Sequence, residues 1–216
     1  YPVAYPNGNW AGDGGSWWYG YNGVSSSIGV GGSAGGIYTD GGAGGFGAGG
    51  GGGAASNYSP NDYSTSGGAG GSGFVSIKTV GQVVYGDTTV NGSTGTRAGA
   101  AYSWTVPLGV YSVTIDAAGG GGGGYAYHDG GYCQHAWAGG PGGGLSGLTL
   151  SVVPGDVISG VYGNAGGKGY YNGGTGGSGS ATTIYKNGVL IATCGAGGNG
   201  NSQPPSVGTT TITAGY

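Results

Sequence analysis

The residue types that could do chemistry are concentrated in one stretch, 125–137, which reads YAYHDGGYCQHAW. It contains both histidines of the chain, His128 and His135, together with Asp129 and Cys133. Imidazole, carboxylate and thiolate groups are ligand types for zinc and copper. Because their spacing here fits no standard zinc pattern, we expect no metal at this stretch, and we expect no cofactor.

Two other interpretations of the same stretch stay open. In one, Cys133 pairs with Cys194, and the disulfide anchors a displayed loop, which would suit an oxidising, extracellular setting. In the other, the stretch is an ordinary surface loop. A nucleophile with a histidine base could also be drawn from it, but catalysis needs an orienting group and a pocket that excludes water. A glycine-rich chain has few large side chains to build one, so we predict that the protein is not an enzyme.

Aromatic side chains are the better candidates for contact with a partner, because a flat ring combines stacking area with a polar edge. They cluster at 10–21, 125–137 and 170–171. Alternatively, they fill space between rods and strands or seal contacts between subunits. The candidate binding residues are Trp10, Trp17, Trp18, Tyr19, Tyr21, Tyr125, Tyr127, His128, Tyr132, His135, Trp137, Tyr170 and Tyr171.

The elements that must position these side chains are dominated by glycine, which accounts for 64 of 216 residues. An extended helix of the polyproline II type turns once per three residues, so glycine at every third position leaves a bare backbone stripe along one side of the rod. Bare stripes let rods touch and exchange backbone hydrogen bonds. The triplet-spaced series are Gly41, Gly44, Gly47 and Gly50; Gly67, Gly70 and Gly73; Gly163, Gly166 and Gly169; and Gly173, Gly176 and Gly179.

The composition argues against two simpler interpretations, collagen and a flexible linker. Collagen needs unbroken Gly-X-Y triplets with abundant proline, whereas this chain has eight prolines and doubled glycines. A disordered linker is expected to be polar, charged and poor in aromatic residues. Here charged residues make up 5% and aromatic residues 12% of the chain. We therefore predict an ordered bundle of glycine-rich rods.

The remaining pattern favours β-strands. Glutamate is missing, and glycine disfavours helix by about 1 kcal/mol per residue, so we predict essentially no α-helix. Strands are predicted near 74–78, near 110–115, where Tyr111, Val113 and Ile115 share one face, and near 145–153. Residues 184–191 predict a hairpin around Asn187-Gly188, a pair typical of a type I′ turn.

The predicted fold class is all-β with a polyglycine II helix bundle, in which β-sandwich or hairpin strands cap the rods. We expect three parts: a glycine-rich lobe with an aromatic cap at 1–80, a connecting segment at 81–103, and a glycine-rich, sandwich-like lobe at 104–216.

Charge and hydropathy exclude some partners. The net charge is −3, and the few cations could hardly neutralise a phosphate backbone, so we expect no nucleic acid. No stretch approaches the roughly 20 apolar residues of a membrane-spanning helix. The chain contains no methionine, and nothing at Tyr1 resembles a signal peptide, so we expect a processed product or a fragment. The fixed cations are Lys78, Arg97, Lys168 and Lys186.

Several motifs together suggest a family. These motifs are WTVPLGVYSV at 104–113, the hexaglycine at 119–124, LTLSVVPGD at 148–156 and GAGG at 195–198. Together they resemble the glycine-rich domains found at phage tail-fibre tips and on some bacterial surface proteins. The resemblance covers roughly 104–200. It implies a sandwich of polyglycine rods capped by β-strands, with receptor-contacting loops at one end.

The order of the motifs departs from that family. GGAGGSGFVSI at 67–77 is similar to a segment that comes last in these domains, yet here it precedes Trp104. The chain could form two lobes, or one permuted unit whose missing strands come from the next subunit. Donated strands would give a head-to-tail interface of the kind that builds filaments.

These observations predict a non-enzymatic extracellular fibre protein, a self-assembling structural subunit whose partners are copies of itself. The alternative is a receptor-binding adhesin at the tip of a phage tail fibre, which would recognise a bacterial surface glycan or an outer-membrane protein. In the first case the aromatic clusters are buried between copies, and in the second they are exposed.

Overall fold

The described part of the chain consists of β-strands joined by glycine-rich segments, and it contains no helix. A computed structural model describes residues 25, 30–33, 35, 40–52, 66–79, 82–86, 99–129, 132–170, 174–200 and 205–213, and for 82–86, 126–129 and 132–136 it describes the backbone alone. The strands are β1 (Phe74–Thr79), β2 (Gln82–Gly86), β3 (Ala101–Thr105), β4 (Ser112–Ala118), β5 (Tyr125–Asp129), β6 (Tyr132–Trp137), β7 (Gly144–Ser151), β8 (Val157–Val161), β9 (Thr182–Lys186), β10 (Val189–Cys194) and β11 (Thr210–Ile212).

The strands form two antiparallel sheets and one separate hairpin. The four-stranded sheet has the order β2-β1-β4-β7, and the five-stranded sheet has the order β11-β10-β9-β8-β3. Strands β5 and β6 pair only with each other within the described residues. The predicted all-β class is therefore confirmed.

The two sheets enclose one hydrophobic core. Strand β4 illustrates why: Val113, Ile115 and Ala117 alternate along it and are buried, whereas Ser112 is exposed. Such a two-residue period places one face of a strand against the core. The buried core residues are Val75, Ile77, Tyr102, Val106, Val113, Ile115, Ala117, Leu145, Leu150, Val152, Ile158, Tyr162, Ile184, Ile191, Ala192 and Cys194.

The hairpin of β9 and β10 confirms the turn prediction. Lys186 pairs with Val189, and the two residues between them have positive φ, 49° at Asn187 and 80° at Gly188. A type I′ turn needs positive φ at both central positions, and Asn-Gly supplies this at little cost.

The core also joins parts of the chain that the sequence assigned to different lobes. Strand β1, from the predicted lobe 1–80, lies between β2 and β4, and Ile77 pairs with Ile115. Val75 and Ile77 belong to the same buried cluster as residues of 104–216. The division into 1–80, 81–103 and 104–216 stays a prediction, but β1 and β4 form one structural unit.

The strands of both sheets continue into glycine-rich segments at the same end. Phe74 pairs with Ala118, which pairs with Gly144, and glycine runs adjoin all three residues. The Thr182 hydroxyl ties the two sheets together there, since it donates to the Ala118 carbonyl at 2.6 Å and accepts from the Gly163 N–H at 2.9 Å.

Residues 106–111, 152–156 and 187–189 lie at the opposite end of the sandwich, called here the turn end. The Val106 N–H donates to the Asp156 carbonyl at 2.8 Å, and the Asn187 N–H donates to the Val157 carbonyl at 2.8 Å. These bonds bring the three turns together.

Candidate functional site

The hexaglycine 119–124, called here the central segment, has hydrogen-bonded neighbours on all sides. Each of its N–H groups donates to a backbone carbonyl at 2.8 or 2.9 Å, and successive residues donate in turn to 138–143, 174–180 and 66–73. Its carbonyls accept from three further segments, 47–52, 163–169 and 195–200. One short segment is thus cross-linked to six others.

The same period of three governs other bonds between the glycine-rich segments. The N–H groups of Gly41, Gly44 and Gly47 donate to the carbonyls of Ser66, Ala69 and Ser72, at 2.8 to 3.0 Å. Those of Gly67, Gly70 and Gly73 donate to Gly169, Gly166 and Gly163, at 2.8 or 2.9 Å. The spacing read from the sequence is therefore also the spacing at which a segment meets one neighbour.

The central segment leaves no room for side chains. A Cβ atom on Gly120, Gly121 or Gly122 would collide with the carbonyl oxygen of Asn164, Ala48 or Gly198 respectively. Since these oxygens belong to backbone, no rotamer change could relieve the contact. The arrangement can cross-link backbone but offers no side chain for catalysis at its centre.

The stretch 125–137, expected to be a loop, is a hairpin of β5 and β6. Tyr125 pairs with Trp137, their ring centroids lie 6.3 Å apart, and His128 pairs with Cys133. The loop prediction was wrong because β-prone aromatic residues flank Gly130-Gly131, a turn signal that the sequence carried. The hairpin begins directly after the central segment and so extends from the glycine-rich part, away from the sandwich.

Tyr170 lies at this same end. Gly169 donates to the carbonyl of Gly124, which immediately precedes the hairpin. The Tyr170 side chain is exposed, and Lys168 Nζ lies 5.3 Å from its ring centroid. Tyr125, Trp137 and Tyr170 are thus brought to one end of the molecule.

The other candidate residues belong to two groups. The backbone of β5 and β6 carries Tyr127, His128, Tyr132, Cys133 and His135. The rest of the predicted contact residues, Trp10, Trp17, Trp18, Tyr19, Tyr21 and Tyr171, lie outside the described residues.

The candidate disulfide pair, Cys133 and Cys194, is not joined in the structure. Cys194 carries a free thiol, buried in the sandwich, and burial raises its pKa to about 11. Its strand ends at the sandwich, whereas Cys133 lies in the hairpin beyond the central segment. Six residues of extended glycine span roughly 19 Å, and a disulfide needs Cα atoms within about 7 Å.

Asp156 organises the turn end. Its carboxylate accepts from the Val153 N–H at 2.9 Å and from Asn187 Nδ2 at 2.7 Å, and Lys186 Nζ lies 3.2 Å away. The pKa of this carboxyl lies below its usual value of 3.8, chiefly because the carboxylate accepts a hydrogen bond from Asn187. The hydrogen bond from Val153 and the nearby Lys186 lower it further. Asp156 is a turn residue, as its position beside Gly155 predicted.

The turn end also exposes apolar side chains that sequence reasoning missed. Tyr111, expected on the buried face of its strand, precedes β4 and is 65% exposed. Leu108 is 91% exposed. The signal that could have found them is the Leu108-Gly109 turn, because a turn places its residues at the surface.

The charged side chains that the structure describes are all paired. Lys78 bonds Asp116, Lys168 lies 3.4 Å from Asp40, and Lys186 contacts Asp156. Within the same residues, no group of three or more His, Cys, Asp or Glu side chains could hold a metal ion. The described surface therefore carries no unpaired ionic side chain.

Comparison with known proteins adds no relative. No family model matches the chain, and neither a curated protein nor a solved structure matches it. The resemblance to phage tail-fibre tips therefore stays a prediction from sequence. Among the described residues, none belongs to a helix that is long and apolar enough to span a membrane.

Proposed function

We propose that the glycine-rich segments form a polyglycine II bundle. In such a bundle each rod has threefold symmetry and can bond neighbours in several directions at once. The central segment supports this, because its N–H groups rotate through three acceptor segments and its carbonyls accept from three others. It runs antiparallel to 66–73, 138–143 and 174–180, and parallel to 163–169 and 195–200.

The function we propose is that of a non-enzymatic structural subunit of an extracellular fibre, which assembles with copies of itself. The six-sided hydrogen bonding of the central segment is the observation that carries this proposal. Each bond contributes about 1 kcal/mol net, and a repeated network of them gives a stiff body with little side-chain chemistry. A stiff body of this kind, with no reactive site at its centre, is suited to the role of a structural subunit.

Self-assembly is supported by energetics and by charge. Ordering glycine costs more conformational entropy than ordering any other residue. Side-chain burial offsets little of this cost in a glycine-rich chain, so contact with neighbouring copies would add stability. The described charges are neutralised within the chain. Where these described faces meet, copies can approach closely without strong like-charge repulsion.

A second candidate function is that of an adhesin that recognises a bacterial surface glycan or an outer-membrane protein. The hairpin β5–β6 favours it, because an aromatic hairpin at one end of a rigid bundle, beside the exposed Tyr170, is suited to display. Aromatic rings are also common in binding surfaces.

Electron microscopy of the purified protein over a range of concentrations separates the two functions. The fibre proposal predicts continuous filaments with one repeating subunit. Discrete particles at every concentration, with saturable binding to bacterial envelopes, would replace it with the adhesin.

A further inference from the structure

The turn end exposes a group of large apolar side chains that come from three different turns. Hydrogen bonds join the turns, and among these bonds the Val152 N–H donates to the Tyr111 carbonyl at 3.0 Å. The exposed fractions are 91% for Leu108, 65% for Tyr111, 57% for Val153 and 67% for Val189. These residues are called here the apolar cap.

Hydrogen bonds hold the backbone of the turns that carry the apolar cap. The Asp156 carboxylate bonds both the Val153 N–H and the Asn187 side chain, and the Gly155 N–H donates to the Val106 carbonyl at 2.9 Å. A surface fixed before binding loses little conformational entropy when it is covered. This rigidity distinguishes the cap from scattered apolar residues on flexible loops.

The area of the apolar cap is large for a monomer. The four side chains together expose on the order of 500 Å², at the upper end of the largest apolar patch on a typical soluble monomer. A standard interface buries about 800 Å² per partner. The apolar cap could therefore supply more than half of the area that one partner buries in a standard interface.

We infer that the apolar cap docks a second copy of this chain, an inference that rests on the proposed fibre function. Among the described residues, the charged groups at this end, Asp156 and Lys186, lie 3.2 Å apart and neutralise each other. An identical chain therefore meets no net charge here. Burial of apolar surface, rather than ion pairing, drives the contact, so assembly is insensitive to salt.

A matched pair of substitutions tests the inference in the full chain. Val189→Lys places a charge in the cap, and Val30→Lys places the same charge on the glycine-rich part, at a valine that is 64% exposed against 67% for Val189. Sedimentation velocity and electron microscopy measure the concentration at which filaments form. We expect Val189→Lys to raise it at least about tenfold, and Val30→Lys to leave it unchanged.

The possible outcomes distinguish failure of the docking role from failure of the fibre proposal. Filaments from the wild-type protein and equally from Val189→Lys would overturn the docking role and leave the fibre proposal standing. A wild-type chain that stays monomeric would overturn both. If Val189→Lys melts far below the wild type, Leu108→Ser provides the test, because it removes exposed apolar area without adding charge. It should also raise the assembly concentration, and no change would count against the cap.

Discussion

At the residue scale, Asp156 is the side chain whose ionisation the fold depends on most visibly. Its hydrogen bonds with Asn187 and Val153, together with Lys186, lower its pKa from 3.8. The folded state therefore binds this proton less readily than the unfolded chain does. The resulting stability is present above pH 3.8 and is lost as the pH falls through the folded pKa.

The prediction concerns the melting temperature as a function of pH. The melting temperature of the wild-type protein should fall as the pH is lowered below about 4. Asp156→Asn should melt lower than wild type at pH 7 and decline less steeply in acid, because one of the shifted carboxyls no longer titrates. Thermal unfolding followed by circular dichroism between pH 2 and pH 7 measures both, and parallel curves for the two proteins would contradict the role given to Asp156.

Asp116 contributes in the same direction. Its burial raises its pKa, but hydrogen bonds from Lys78, Gly147 and Ser146 and the charge of Lys78 outweigh burial and lower it overall. Some acid sensitivity should therefore remain in Asp156→Asn. Removal of Asp116 as well, as Asp116→Asn in the double variant, should flatten the curve further.

At the element scale, the glycine-rich segments touch one another at glycines on one face of each segment. Gly166 and Gly167 are adjacent in one segment and differ in this respect. A Cβ atom on Gly166 would collide with the carbonyl of Gly177 and lie 2.6 Å from the Gly123 nitrogen, whereas a Cβ on Gly167 meets nothing within 4 Å. Gly166 is buried and Gly167 is exposed.

Alanine substitution should separate these two positions. We expect Gly166→Ala to destabilise the fold by about 1–3 kcal/mol, the usual cost of overpacking, which lowers the melting temperature by about 2–4 °C per kcal/mol in a chain of this size. Gly167→Ala should be neutral or up to about 1 kcal/mol stabilising, since it restricts the unfolded chain. Equal melting temperatures for the two variants would refute the tight contact at Gly166.

Local elements could be predicted from sequence where the pattern was short-range. Strand β1, strand β7 and the turn at Asn187-Gly188 follow from β-prone runs and turn chemistry, and the triplet glycines gave the period of the backbone bonds. The hairpin at 125–137 was not predicted, although Gly130-Gly131 between β-prone aromatic residues is a turn signal in the sequence.

At the scale of the whole molecule, the sequence could not supply the pairing of distant segments. Strand β1 lies between β2 and β4, and the central segment bonds segments as far apart as 47–52 and 195–200. Hydrophobic period fixes which face of a strand is buried but not which strand lies beside it. The separation of Cys133 and Cys194 has the same cause, since it depends on the length of the central segment between the sandwich and the hairpin.

The same long-range packing gives the molecule two different ends. The turn end carries the apolar cap, and the other end carries the hairpin β5–β6 and Tyr170. A body with unlike ends can join head to tail, and such contacts build filaments when the rotation between copies does not close.

The most direct test of the central claim is amide hydrogen exchange at 119–124, followed residue by residue by NMR. Each of these N–H groups is hydrogen-bonded and each of these glycines is buried. We therefore expect exchange at least about a thousandfold slower than in an unstructured glycine peptide, as slow as in the core strand β4. Exchange at the rate of the unstructured peptide, with β4 still protected, would contradict the bundle and the function proposed from it.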